Sequence, residues 1–362
     1  MISRRGWLLG LGAAGLGVGA AAVGWRHWPV YGSPGGDFDE SVVTKTVGKM
    51  PYRRFGNTGL QVSEVGFGSW ATGGAAFGAV SHQDSLDALA RAEELGCNFL
   101  DTAMNYGDAE LVVGQFLRGR RDRWIVATKY SGQPGGLTAT LEEQLRRLGT
   151  DHVDFYQIHW VPKDAERSLY DELERVKRAG KARFIGVSLY NSNDVDYVID
   201  HTNLDGVQLP LSLLDPVPFL ARARRLRESG LAVIARSSLK DGFLTGKYSR
   251  GVEFKDPNDR RSRMPRADID RIIGQVDAMR FLEREQGSLL LAAARYPLSF
   301  SEVSIVIMST KNAHQADSNF GEVPGARLSA EQLERVARLQ DELGLWGFRA
   351  RLDRGGRALL GR

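Results

Sequence analysis

Four polar residues carry the chemistry that this sequence can offer: Asp101 and Tyr106 in FLDTAMNYG, Lys129 in WIVATKY and His159 in FYQIHW. Each stands at or just beyond the end of a short apolar run. A tyrosine phenol, with a pKa of about 10, neither gives nor takes a proton readily near neutral pH. A nearby ammonium favours the phenolate, and a carboxylate keeps that ammonium charged in an apolar setting. A histidine across from them can hydrogen-bond a substrate oxygen, orienting a carbonyl or sharing the proton. Together these types suit proton transfer at a carbonyl or alcohol oxygen. No metal is expected, since no second His, Cys or carboxylate stands at ligand spacing. Taken singly, each residue has a structural explanation: a helix cap, a solvated strand end, a lid on the core, a satisfied core histidine. Four such residues on successive strand ends are harder to explain that way.

The spacing specifies the scaffold. Asp101, Lys129, His159 and Ser188 follow one another at intervals of 28, 30 and 29 residues, about one strand plus one returning helix. Eight strands are expected around Val65 to Gly68, Phe99 to Asp101, Trp124 to Lys129, Phe155 to His159, Phe184 to Ser188, Gly206 to Leu209, Ala232 to Arg236 and Val303 to Ile307. Helical periodicity fills the gaps over Asp84 to Leu95, Ala109 to Leu117, Thr138 to Leu148, Ala165 to Arg178, Asn193 to His201 and Pro218 to Glu228. Ser81 caps the first of these and Gly96 ends it. The fold class is therefore α/β, a (β/α)8 TIM barrel, with a hairpin at Arg53 to Val62 turning at Gly56-Asn57-Thr58-Gly59 and plugging its bottom. A long polar loop from Ser238 to about Asp268 is placed to close over the mouth.

The remaining length lies at the ends. Residues 1–30 read as a leader: paired Arg4 and Arg5, then a weakly apolar Gly/Ala/Leu run that resembles a twin-arginine export signal, with Ala20-Ala21-Ala22 as a cleavage region. The alternative is an uncleaved anchor attaching residues 1–28 to a membrane, with Trp25 and Trp28 at the interface. Either reading implies export machinery as a partner and a periplasmic or membrane-anchored body; without a working leader the chain stays in the cytoplasm. Gly10, Gly12 and Gly15 satisfy a GxGxxG pattern, but no strand can precede them, so the dinucleotide reading lacks its structural context. Residues 31–49 read as a spacer, 50–345 as the barrel and 346–362 as a basic tail, either a frayed terminus or a contact for anionic lipid. A net charge of +4 with balanced signs gives no ground for nucleic-acid binding. Cys97, the single cysteine, cannot form an internal disulfide and leaves the compartment undecided.

From about Met50 to Leu343 the sequence resembles the aldo-keto reductases, through GNTGLQVSEVGFG, FLDTAMNYG, ATKY, DFYQIHW, KARFIGVS, LTGKY and STKNAHQADSN in that order. The resemblance implies a barrel that binds NADP(H) without a Rossmann domain and reduces aldehydes or ketones, its small-molecule carbonyl substrates. It implies Tyr106 as the proton donor, Lys129 lowering the phenol pKa, Asp101 holding Lys129, and His159 orienting the carbonyl. Phosphates are expected at the loops after strands seven and eight, where Ser237, Leu239, Gly242 and Lys247, then Ser309, Thr310 and Lys311, supply hydroxyls, a close backbone approach and cations. By resemblance Ser309, Thr310, Lys311, Gln315 and Asn319 take the adenosine end, and Ser188 and Gln208 take the nicotinamide carboxamide.

Two positions beside the nicotinamide depart from the family pattern, and Ser318 stands where a glutamate often precedes Asn319. Leu189 replaces an asparagine, and Leu211 replaces the aromatic residue that stacks on the nicotinamide, which predicts weaker nucleotide binding through loss of a stacking contribution of about 0.5–1.5 kcal/mol. Trp70, Phe77 and Trp160 are expected to line the substrate pocket. The leading reading is an NADP(H)-dependent carbonyl reductase. A redox sensor or binding subunit that retains its nucleotide, with incidental turnover, is the alternative; a sugar-binding barrel would leave Lys129 and Asp101 unexplained.

Overall fold

The computed structural model describes residues 38–72 and 77–346; the leader and basic tail fall outside the described residues. Three plug strands come first: β1 (Val43–Val47), β2 (Met50–Arg54) and β3 (Gln61–Ser63). The barrel follows as β4 (Val65–Gly68), β5 (Phe99–Asp101), β6 (Ile125–Tyr130), β7 (Val153–Ile158), β8 (Ala182–Ser188), β9 (Gly206–Pro210), β10 (Ala232–Arg236) and β11 (Ile305–Ser309). These eight pair in parallel in sequence order, and β11 closes on β4. The helices between them are α1 (His82–Glu94), α2 (Ala109–Leu117), α3 (Leu137–Leu148), α4 (Ser168–Arg178), α5 (Ser192–His201), α6 (Val217–Leu220), α7 (Ala223–Ser229), α8 (Arg266–Ala278), α9 (Phe281–Gln286), α10 (Leu289–Leu298), α11 (Ala313–Ala316) and α12 (Ala330–Glu342). The closed parallel barrel is the fold that the spacing implies.

Local chemistry explains the elements. In α4, Leu169, Leu173 and Val176 recur at helical spacing and are its buried apolar residues, each worth about 1.5–3 kcal/mol of burial when fully covered. Ser81 accepts the Asp84 N–H at the start of α1, and Gly149 ends α3 in a left-handed conformation with φ of 65°. Inside the barrel, Phe55, Phe99 and Phe155 pack together at ring distances of 5.6 and 5.2 Å. Phe155 has room because Gly186 and Gly206 face it: a Cβ at Gly186 would lie 2.3 Å from the ring.

The hairpin does plug the bottom. Phe55 fills the barrel floor, and Gly56, with φ of +52°, lets the turn approach the backbone of Ala232, where a Cβ would sit 2.4 Å from the amide nitrogen. The plug is larger than expected, because β1 arises within residues 31–49 and pairs antiparallel with β2. The spacer reading of that stretch therefore needs correcting at Val43–Val47, where Thr44, Thr46 and the flanking valines suit a strand. Arg53 locks the plug from below: it is 1% exposed, ion-paired to Glu64 at 3.1 Å, and donates to the carbonyls of Leu298, Phe300 and Val303.

Several boundaries differ from expectation, and two of them have an evident local cause. The helix expected over Pro218 to Glu228 is two, α6 and α7, broken at Arg222 (φ −135°, ψ 11°), whose guanidinium turns back to the Ala221 carbonyl at 2.9 Å. The last strand starts at Ile305 and not Val303, because Val303 closes a turn onto the Phe300 carbonyl at 3.2 Å.

Candidate active site

All four chemical residues converge at the C-terminal mouth of the barrel. Asp101 ends β5, and register places it beside Gly68 and Ala127. Lys129, on β6, is fully buried and donates from Nζ to Asp101 Oδ2 at 2.5 Å and to the Thr102 carbonyl at 2.8 Å. Asp101 Oδ1 accepts from Gln208 Nε2 at 2.9 Å and Gln157 Nε2 at 3.4 Å. The carboxylate is thus the centre of a polar layer contributed by β5, β6, β7 and β9. A buried charge pair is tolerable only with such satisfied surroundings.

Tyr106 sits above this layer on a turn anchored to β6: Thr102 and Met104 donate backbone N–H groups to Ala127 and Lys129, and Tyr106 N–H closes on the Ala103 carbonyl at 3.1 Å. Its ring lies 5.3 Å from Lys129 Nζ and edge-on to His159 at 6.0 Å. The phenol pKa is on balance raised, not lowered as expected. Burial, and then the Asp101 carboxylate, push it upward, so Tyr106 stays protonated. Lys129 itself is held below the usual lysine range, chiefly by burial and against the opposing pull of Asp101.

His159 follows β7 and is half-buried, with its pKa pushed down to about 3 by burial and then by the charges of Lys129 and Arg236. It is therefore a neutral imidazole at neutral pH. Ser131 Oγ lies 3.0 Å from Nδ1; a hydroxyl donating there leaves the proton on Nε2, the tautomer able to donate to a carbonyl oxygen.

The walls are aromatic in part. Trp70, on a short turn after β4, packs on Phe77 at 5.2 Å and on Tyr106 at 6.2 Å. Trp160 instead turns its indole N–H to Glu166 at 2.8 Å and makes no ring contact with Tyr106 or His159. The long loop reaches across the mouth, where Asp259 bridges to Phe77, Arg260 lies over Trp70 and Arg261 over Phe77.

The nucleotide residues divide into those still free to meet a ligand and those facing each other. Ser188 Oγ and Gln157 Oε1 are buried without a hydrogen-bond partner, an arrangement that fits an amide group offering both a donor and an acceptor. Gln208 already gives its amide N–H to Asp101. After β10, Ser237, Lys240 and Asp241 have positive φ, a strained run closed on itself by the Lys240 N–H to the Ser237 carbonyl at 2.9 Å and the Gly242 N–H to the Leu239 carbonyl at 3.0 Å. Arg261 braces it, donating to the Asp241 carbonyl at 3.0 Å; Leu239 packs on the core and Lys247 is exposed. After β11, Ser309 is half-buried, Lys311 donates from Nζ to the Phe77 carbonyl, and Gln315 accepts the Lys311 backbone N–H at 2.9 Å. Burial and the neighbouring Arg261 and Lys247 charges hold the Lys311 pKa down, a strain that a phosphate would relieve. Asn319 and Thr310 are buried and bonded to each other at 2.9 Å, so they brace this loop. Leu189 and Leu211 have no accessible surface.

Sequence reasoning missed Gln157, Ser131 and Arg236. The last had a signal: it ends β10, 28 residues after Gln208, at the same strand-end position as the others. Among the described residues no group of acids, histidines or cysteines could hold a metal, and no helix is long and apolar enough to cross a membrane.

Comparison with known proteins accords with this geometry. The description "Aldo/keto reductase family" matches residues 64–341. The chain is 27% identical over 311 residues to aldo-keto reductase YhdN of Bacillus subtilis (strain 168), covering 79% of this chain and 92% of that protein. It is 26% identical over 336 residues to L-glyceraldehyde 3-phosphate reductase of Escherichia coli (strain K12), covering 83% and 95%. Among solved structures, the glycerol dehydrogenase AKR11B4 of Gluconobacter oxydans superposes with a TM-score of 0.67 at 25% identity, covering 82% and 96%.

Proposed function

Because this chain belongs to the aldo/keto reductase family, oxidoreductases that act on carbonyl substrates with a nicotinamide cofactor, we propose that it reduces an aldehyde or ketone to the alcohol with NADPH and with Tyr106 as proton donor. The observation that carries this reading is the convergence of Tyr106 and His159 over the bonded Lys129–Asp101 pair. When bound, the nicotinamide supplies a hydride to the carbonyl carbon. Ser188, with its unpartnered hydroxyl, and Gln157 would hold the carboxamide; the loops after β10 and β11 would hold the phosphates, and Lys311 and Arg261 support a ribose 2′-phosphate.

The residues then divide the proton work. His159, neutral, donates from Nε2 to the carbonyl oxygen and fixes its direction. As that oxygen gains negative charge, the Tyr106 O–H gives it a proton, and the alkoxide becomes the alcohol. The phenolate left behind is stabilised by Lys129, which Asp101 keeps oriented and charged. Trp70, Phe77 and the long loop exclude water from the mouth. Oxidation of an alcohol follows the same path in reverse.

The leader motivates a further part of the proposal, export of the folded barrel through a twin-arginine route or its retention at a membrane. The test of the reductase is NADPH consumption by the full-length protein with 4-nitrobenzaldehyde, beside Tyr106→Phe and with NADH in parallel. Tyr106-dependent turnover, faster with NADPH, is expected. Saturable nucleotide binding with no Tyr106-dependent turnover would overturn the reductase reading in favour of a nucleotide-retaining sensor.

A further inference from the structure

The charges at the mouth can be matched pair by pair. Lys129 is taken by Asp101, Lys240 by Asp215 at 2.6 Å, Arg261 by Asp259 at 2.6 Å and Arg260 by Asp241 at 3.1 Å. Lys311 and Lys247 lie with Arg261 on the phosphate side. Arg236 is different. It is half-buried at the end of β10, its nearest protein acceptors are the Leu189 carbonyl at 3.2 Å and Ser237 Oγ at 3.4 Å, and the Tyr190 ring covers one face of the guanidinium at 4.3 Å. No carboxylate lies within ion-pairing distance among the described residues, and its Nε is buried without a hydrogen-bond partner.

Its position is catalytic in depth though not in role. The charge of Arg236 is felt at Tyr106, Lys129 and His159, so the guanidinium borders the space in which the carbonyl must sit. A buried cation without a counter-ion is costly and usually marks a place where a ligand supplies the charge. Each Nη keeps one hydrogen beyond those given to Leu189 and Ser237, and a guanidinium with two such donors can match the two oxygens of a planar carboxylate. The Tyr190 ring lies over the guanidinium and limits its movement.

We propose that Arg236 is a substrate-binding residue that pairs with a carboxylate on the carbonyl compound, making this a reductase of aldehyde or keto acids. The proposal rests on the reductase reading of the same mouth, and the two fail in distinguishable ways.

The experiment uses the full-length protein and two aldehydes alike except in charge, 4-carboxybenzaldehyde and methyl 4-formylbenzoate, at saturating NADPH, with wild type, Arg236→Met and Arg236→Lys. Wild type is expected to prefer the acid by about tenfold or more in kcat/KM. Arg236→Met should lose roughly 30-fold more activity on the acid than on the ester, and Arg236→Lys should recover part of that ratio. Calorimetric titration with benzoate gives a second readout, expected to show binding by wild type that Arg236→Met abolishes. Equal losses on both aldehydes, or a change confined to the KM for NADPH, would overturn the proposal while leaving the reductase intact. Absence of turnover on either aldehyde, together with Arg236-dependent benzoate binding, would keep the anion site and overturn the reductase. Absence of both turnover and benzoate binding would overturn both.

Discussion

The neutrality of His159 has a measurable cost to folding in acid. Its pKa is pushed down to about 3, against 6.5 for a free histidine, by burial first and then by Lys129 and Arg236. Above a pH of about 6.5 the imidazole is neutral in both folded and unfolded chains and contributes no slope to stability. Below it, the unfolded chain takes up a proton that the folded site refuses, so stability falls by about 1.4 kcal/mol per pH unit until the folded imidazole protonates near pH 3. Two units below the free value, the loss is about 3 kcal/mol. His159→Gln keeps a polar group at the position and removes the titration. Urea unfolding followed by tryptophan fluorescence, for both proteins at about pH 6.5 and about pH 4.5, should therefore show wild type losing about 2 kcal/mol more than the variant over that interval, since the unfolded imidazole is already half protonated at the upper pH. The resonance that disappears in His159→Gln identifies the imidazole among the six histidines and allows its pKa to be followed directly. Equal acid losses in the two proteins, or an imidazole titrating near 6.5, would refute the reasoning.

Three other outcomes follow from the same geometry. Asp101→Asn removes the charge paired with the Lys129 ammonium, so turnover should fall about 100-fold or more; Lys129→Met should fall comparably, and the double variant no further than the worse single, since the pair acts as a unit. Additive losses would show the two residues working separately. Lys311→Met should raise the KM for NADPH about tenfold or more and that for NADH by less than about twofold, because only the former carries the extra phosphate; equal changes in steady-state titrations would place Lys311 away from it. Leu211→Tyr inserts a ring where no accessible surface exists, so a loss of about 1–3 kcal/mol in stability is expected and not tighter binding; a lower Kd for NADPH at unchanged Tm would contradict this.

The barrel was legible because its signals are periodic. Val65–Gly68, Phe99–Asp101, Ala232–Arg236 and Ala109–Leu117 form elements with the bounds that apolar periodicity implies. What periodicity could not carry were features settled by a single side chain. Arg222 breaks one expected helix by turning onto its own carbonyl neighbour, and the Val303 turn delays β11. β1 was hidden because its strand character depends on pairing with β2, a partner supplied only once the plug folds. The same distinction holds in the site. The types and spacing of Asp101, Lys129, Tyr106 and His159 are local facts, whereas the direction of the Tyr106 shift depends on how far burial and Asp101 outweigh the Arg236 charge.

Arg236 illustrates the limit most clearly. A cation at a strand end reads, in sequence, as a side chain that carries its charge out to water; its meaning changes only when the acids around it are found to be already paired. The mouth holds its proton chemistry in forms without net charge: a protonated phenol, a neutral imidazole and a lysine matched by an aspartate. Such machinery is indifferent to what the rest of a carbonyl compound carries. The uncompensated charge beside it is not, since an anionic substituent gains an ion pair there and a cationic one meets repulsion. Proton transfer and substrate choice are thereby assigned to different residues. A change at Arg236 should therefore move the ratio of kcat/KM between charged and neutral carbonyls while Tyr106→Phe lowers both alike.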